Sequence, residues 1–142
     1  IRALLENLRR ADGWAPIHDG EAVIGLVDES GGGAISLEPG GQFELSGAPV
    51  ATLHETRAEL DAHLASVRRA AEPLGLGFLT LGMSPLWTRG ETPMMPKSRY
   101  RIMSGYMPKV GTLGLDMMLR TATVQVNLDF ASEADMVRKL RV

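Results

Sequence analysis

Hydrophobic and polar residues alternate without a break from Thr121 to Phe130. Val124, Val126, Leu128 and Phe130 fall on one side, and Thr121, Thr123, Gln125, Asn127 and Asp129 on the other. A period of two is that of a strand, whose successive side chains point to opposite faces. The stretch therefore predicts a sheet with an apolar back and a polar front. Two readings of that front stay open, solvent and ligand. Gln, Asn and Asp are poor strand formers, and a row of them more often faces a ligand or an ion than bulk water.

The other elements follow from period and punctuation. Residues 2–11 have Leu4, Leu5 and Leu8 on one side of an amphipathic helix, closed by Asp12-Gly13. Residues 22–27 form a short apolar strand. Gly31-Gly32-Gly33 is a turn; it lacks the Lys-Ser/Thr that follows in a phosphate-binding P-loop. Thr52 and Glu55 form a capping box that opens a long helix. Its apolar stripe is Leu53, Leu60, Leu64, Val67, Ala71 and Leu74, and Pro73 and Gly75 close it. Residues 76–83 predict a buried strand, and residues 84–96, with three prolines, a loop. A helix is expected from Pro96 to about Met107, then a loop over 108–114 leading into the strand at 121. Ser132-Glu133-Ala134-Asp135 is a second capping box and starts a last helix.

The segment 34–46 predicts a hairpin whose register can be argued. A two-residue loop at Gly40-Gly41 would set Glu38 opposite Phe43 and mix the faces. A three-residue loop, Pro39 to Gly41, sets Glu38 opposite Gln42, Leu37 opposite Phe43 and Ser36 opposite Glu44. Both faces are then pure, whereas a slip of one residue would bury carboxylates. One face carries Ser36, Glu38, Gln42 and Glu44. Glu38 and Glu44 sit diagonally, about 7–8 Å apart at the backbone, and two carboxylates so placed can reach one hard cation.

Composition narrows the function. The chain has 142 residues, 44% hydrophobic and 23% charged, enough for one domain with a real core. A net charge of -2 gives no basic field for nucleic acid, and an aromatic content of 5% gives few stacking platforms. There is no cysteine, which excludes disulfides, thiolate metal sites and thiol nucleophiles. His18, His54 and His63 make no zinc motif; His54 and His63 are read as surface or packing residues. The methionines read mostly as core. No apolar run reaches the length of a membrane span. Lys97 and Arg99 are unusual at a helix start, which prefers anions; with the backbone amides they can hold a carboxylate or phosphate, or they are exposed charges. The chain opens on Ile1 and closes inside a helical pattern. Residues 1–142 are therefore expected to be a single partial catalytic domain cut at both ends, without turnover on its own.

Several motifs, in order, resemble one family. Ser36 to Ser46 resembles the metal-binding hairpin of glutamate–cysteine ligases. Met95-Pro96-Lys97-Ser98-Arg99-Tyr100, Tyr106 to Gly111, Leu115 to Met118, Thr121 to Phe130 and Ser132 to Met136 resemble the plant and proteobacterial branch. Ala122 stands where many relatives are expected to have Cys. The resemblance implies an α+β fold like the catalytic domain of glutamine synthetase. That fold is a curved, mostly antiparallel sheet with helices packed on one side and the site on its concave face. It implies ATP-dependent joining of the γ-carboxylate of L-glutamate to L-cysteine, giving γ-glutamylcysteine in the first step of glutathione biosynthesis, through an acyl phosphate and with magnesium. It further implies Glu38, Glu44 and Gln125 as catalytic residues, Gln42 with them in the metal set, and Lys97, Arg99 and Asn127 as contacts to nucleotide or other anions. Arg120 is a weaker candidate, because alternation sends it to the apolar face. A cytoplasmic enzyme without nucleic-acid or membrane partners is expected. A ligase with a different amine acceptor, or a non-catalytic binding domain of the same fold, are the alternatives.

Overall fold

A computed structural model describes residues 1–125 and 129–141. The elements run α1 (Arg2–Asp12), β1 (Ala15–Asp19), β2 (Ala22–Val27), β3 (Ala34–Leu37), β4 (Phe43–Ser46), α2 (Leu53–Ala71), α3 (Ser98–Val110), α4 (Gly114–Arg120) and α5 (Glu133–Leu140), with a 3-10 turn at Glu72–Leu74 after α2. The four strands form one sheet in the order β1-β2-β3-β4, every neighbour antiparallel. The fold is thus α+β with an antiparallel sheet.

The hairpin has the register that face purity demands. Ile35 pairs with Leu45, Ser36 with Glu44 and Leu37 with Phe43. Glu38 N donates to Gln42 O at 2.8 Å, closing the three-residue loop. Gly41 sits at φ 85 within it, the left-handed position that such loops reserve for glycine.

The apolar back of the sheet meets α1 and α2. Leu26, Ile35 and Leu37 are buried against Leu4, Leu5 and Leu8 of α1 and Val67, Ala70 and Ala71 of α2. Burying each large aliphatic side chain is worth roughly 1.5–3 kcal/mol, so these residues dominate the fold's stability. Asn7 Nδ2 donates to Ala70 O at 2.9 Å, and the Ser66 hydroxyl donates to Asp12, tying the two helices polar group to polar group. Thr52 and Glu55 form the reciprocal capping box at the start of α2, and Ser132 caps α5 through Asp135 N.

A second, smaller core lies between α3 and α4. Tyr100, Met118 and Leu119 are buried there, with Met103, Met107 and Leu115 packed around them, and Met95 touches both cores.

Several expectations are corrected. Residues 76–83 are neither buried nor a strand: Leu76, Phe78, Leu79, Leu81 and Met83 are exposed, and Met83 makes only an isolated bridge to Thr121. The described part of 121–130 likewise forms no strand beyond that bridge; Val126, Asn127 and Leu128 lie outside the described residues. The reason is common to both stretches. Alternation sets which side chains share a face, but a strand also needs a continuous hydrogen-bonded ladder; among the described residues the two stretches meet only through Ala122 N to Gly82 O and Ser84 N to Arg120 O, and neither joins the four-stranded sheet. The loop expected over 108–114 is partly helix, since α3 continues through Pro108 to Val110 and α4 begins at Gly114. The stripe on α2 is buried only at Val67 and Ala71, while Leu53, Leu60, Leu64 and Leu74 are exposed. β1 was not expected: Pro16 interrupts its pattern, and it pairs at the sheet edge with a bulge between Ile17 and His18, where proline is tolerated.

Candidate functional site

The hairpin tip is held where three segments meet. Gln42 Oε1 accepts from Gly40 N at 2.8 Å, and its Nε2 donates to Met118 O at 3.1 Å and Thr121 O at 2.7 Å. Met95 N donates to Pro39 O at 2.8 Å. Gly40 lies so close to the end of α4 that a Cβ there would fall 2.9 Å from Leu119 C and nearer still to its carbonyl oxygen. Gln42 thus serves as a bracket between the hairpin and α4.

The start of α3 is fixed from the other side. Lys97 occupies the N-cap position but supplies no capping side chain. The cap comes from β1: Asp19 Oδ2 accepts from Ser98 N at 2.6 Å. The Ser98 backbone and hydroxyl, with smaller help from the Arg101 and Lys97 charges, hold the Asp19 carboxyl below the usual carboxylate range. The anion preference of this helix start is therefore met by the chain's own carboxylate. A pocket of about 420 Å³ opens beside it, lined among others by Asp19, Lys97 and Arg101.

These two anchors bring Glu38, Lys97 and Arg99 together. Glu38 Oε1 lies 3.9 Å from Lys97 Nζ and 3.8 Å from Arg99 Nη2. It also accepts from Ser36 Oγ at 3.2 Å and from Tyr100 OH at 3.3 Å. Tyr100 is buried, and its single hydroxyl proton is shared between Leu37 O, the nearer acceptor at 2.9 Å, and Glu38 Oε1. Both cations lie in cation–π range of its ring, Lys97 Nζ at 5.2 Å and Arg99 Cζ at 5.0 Å from the centroid. Lys97 is largely covered, with 9% of its side chain exposed, whereas Arg99 is 65% exposed and so available to a ligand. The hydrogen bond to Tyr100, and secondarily the charges of Glu38 and Glu44, raise the Arg99 pKa further. Glu44 shares the hairpin face and is exposed. The patch thus joins Glu38 at the hairpin to Lys97 and Arg99 at the start of α3, with Glu44 on the same hairpin face, opposite Ser36.

The remaining candidates lie elsewhere. Gln125 is exposed on the stretch after Thr121, and Asn127 lies outside the described residues. Arg120 does not alternate on a strand: it ends α4, pairs with Asp116 Oδ1 at 3.2 Å, and has its Nε buried without a hydrogen-bond partner among the described residues. His63 stacks on Phe43 with centroids 6.3 Å apart, and burial lowers its pKa; it is a packing histidine. Sequence reasoning missed Asp19 as the cap of α3 and Tyr100 as the centre of the cluster. Both act across more than 60 residues of chain, and no local spacing signals such a contact.

The model of glutamate–cysteine ligase family 2 matches residues 1–142, the whole chain. The chain belongs to that family. It is 59% identical over 141 residues to the chloroplastic glutamate–cysteine ligase of Arabidopsis thaliana. It is 58% identical to that of Medicago truncatula and 57% identical to that of Nicotiana tabacum. In each case the match covers 99% of this chain and 27% of the relative, so this family member spans about a quarter of the length of the curated relatives it matches. The expectation of a cytoplasmic enzyme is corrected by the same finding, because these relatives are named as chloroplastic. No described helix is long and apolar enough to cross a membrane.

The donor set suits a hard cation. Glu38 and Glu44 offer only oxygen, as magnesium requires, and magnesium sites typically use one or two protein carboxylates together with substrate phosphates and water. Among the described residues no group of three or more His, Cys, Asp or Glu could enclose a metal.

Proposed function

We propose that this chain carries part of the active site of an ATP-dependent ligase. The enzyme joins the γ-carboxylate of L-glutamate to the amine of L-cysteine, giving γ-glutamylcysteine, the first step of glutathione biosynthesis. The observation that carries the reading is the patch of Glu38, Glu44, Lys97 and Arg99 where the hairpin meets the start of α3, in a chain 59% identical to an enzyme named glutamate–cysteine ligase. We infer the finer architecture to be glutamine synthetase-like, with the patch on the concave face of a larger sheet.

The chemistry follows from the charges. An oxygen of the γ-carboxylate attacks the γ-phosphorus of ATP, the bond to ADP breaks, and an acyl phosphate forms. The amine, having lost a proton, attacks the acyl carbon, and phosphate leaves as the amide forms. Phosphoryl transfer depends on alignment and charge neutralisation more than on acid–base side chains. Magnesium, when bound, would offset the negative charge of the phosphates. Glu38 and Glu44 would hold it, with Gln125 and, through water, Gln42 as further oxygen donors. Arg99 would hold and orient an anionic group, either a phosphate or a glutamate carboxylate, with the largely covered Lys97 adding positive charge behind it, and Asn127 would contact the nucleotide.

The test is ADP release by the full-length enzyme, supplied with magnesium, ATP and glutamate and screened against a panel of amines. Release that needs cysteine and yields γ-glutamylcysteine is expected. Release with another amine in place of cysteine would change the acceptor, and no glutamate-dependent release with any amine would overturn the reading.

A further inference from the structure

Tyr100 has 1% of its surface exposed, yet its hydroxyl is not confined to a backbone partner. It donates to Leu37 O at 2.9 Å, approaches Glu38 Oε1 at 3.3 Å, and accepts from Arg99 Nη2 at 3.3 Å. Ser36, two residues before Glu38 on the same strand face, donates to that same Oε1 at 3.2 Å. Lys97 and Arg99 also make their closest approach at Oε1. Four groups from two elements thus converge on one oxygen of one carboxylate.

We propose that Ser36 and Tyr100 are positioning residues for Glu38: their hydroxyls fix Oε1 and so make Oε2 the oxygen that meets a divalent cation. This rests on the reading of Glu38 as a cation ligand. The physical case is one of preorganisation. A glutamate on a hairpin edge has three side-chain torsions, and an unrestrained carboxylate must be ordered when the cation arrives, at a cost in affinity. At 3.2 and 3.3 Å both contacts are longer than a strong O–H···O bond. Each alone is therefore a modest restraint, that of Tyr100 the weaker because its proton is shared with Leu37 O, and the two act on the same oxygen. Ligating carboxylates are commonly oriented by such hydrogen bonds in the shell behind them. Tyr100 adds a second restraint, since its bond to Leu37 O fixes the start of α3, and with it Lys97 and Arg99, against the end of β3.

The experiment measures manganese binding to the full-length enzyme by electron paramagnetic resonance with ADP present, alongside kcat and the KM for magnesium. Ser36→Ala, Tyr100→Phe, their double variant and Glu38→Gln are compared with the parent. Each single hydroxyl deletion is expected to weaken manganese binding by about 3- to 10-fold, and the double variant by more than about 10-fold, the range for ordinary hydrogen bonds, since both contacts are long. The KM for magnesium should rise in parallel, while kcat of Ser36→Ala at saturating magnesium stays within about 3-fold of the parent, a split that general loss of structure would not give. If Glu38→Gln weakens binding while Ser36→Ala and Tyr100→Phe keep parental affinity, the positioning role is wrong and the ligand role stands. If Glu38→Gln itself binds manganese as the parent does, the ligand reading fails and the positioning role falls with it. Should Tyr100→Phe not fold, Ser36→Ala decides the matter alone, because it removes only a half-buried hydroxyl.

Discussion

Single side chains in this chain act by reaching across the sequence. Asp19 is the plainest case. It ends an edge strand, yet its task is to cap α3 at Ser98, and that bond holds its carboxyl below the ordinary value of 3.8. A group whose pKa is lower folded than unfolded binds fewer protons in the native state, so stability rises with pH through the window between the two values. The contribution of Asp19 is therefore complete above about pH 3.8 and is lost as pH falls through its lower folded value. Asp19→Asn keeps an acceptor oxygen but removes the charge. The thermal midpoint of the parent should exceed that of Asp19→Asn at neutral pH, fall more steeply below about pH 3.8, and converge with it at the acid end. Two parallel melting-temperature curves would show that the charge of Asp19 does not hold α3.

At the level of elements, what the sequence revealed depended on whether the deciding contact was local. α1, β2, the capping box of α2 and the hairpin register were all legible, since periodicity, cap chemistry and loop length lie within a few residues of one another. Glu38 and Glu44 could be put on one face for the same reason. α4 was overlooked although Leu115, Met118 and Leu119 carry a helical stripe, because Gly111 and Gly114 read as loop and seven residues are few to judge. The strand expected at 76–83 failed because an apolar run does not name its partner. The place of the hairpin against α4 was equally hidden, and it rests on Gly40. Its missing Cβ lets the loop backbone touch Leu119, and Gln42 then reaches Met118 O and Thr121 O. Gly40→Ala must push the tip away from α4, which should lower stability by about 1–3 kcal/mol, as overpacking does. Chemical denaturation of Gly40→Ala checks this; an unchanged midpoint would mean that the tip is not seated on α4.

For the molecule as a whole, the two cores and the exposed surface belong to one picture. The cation–carboxylate patch lies where the sheet core and the α3–α4 core meet, with Met95 in contact with both. Away from that joint the chain leaves much apolar surface uncovered. Leu53, Leu60 and Leu64 lie along α2, Ile102, Tyr106 and Val110 along α3, and Leu76, Phe78, Leu79 and Leu81 make a ribbon of exposed residues after the 3-10 turn. Patches beyond a few hundred Å² are uncommon on monomers and mark surfaces that other polypeptide covers. The 142-residue chain in isolation should therefore bind the apolar dye ANS at neutral pH. Dye binding also marks a molten globule, which lacks fixed packing and near-UV dichroism, whereas here the buried leucines of α1 and the sheet define a packed core. The expected combination is strong ANS fluorescence together with a cooperative melt and a retained near-UV signal. Replacing Leu79, 76% exposed, and Leu81 with serine should cut the fluorescence by about half while leaving the melting temperature nearly unchanged. Fluorescence that persists while the melt broadens would place the dye in a loosened core instead, and the uncovered ribbon would not be its binding surface.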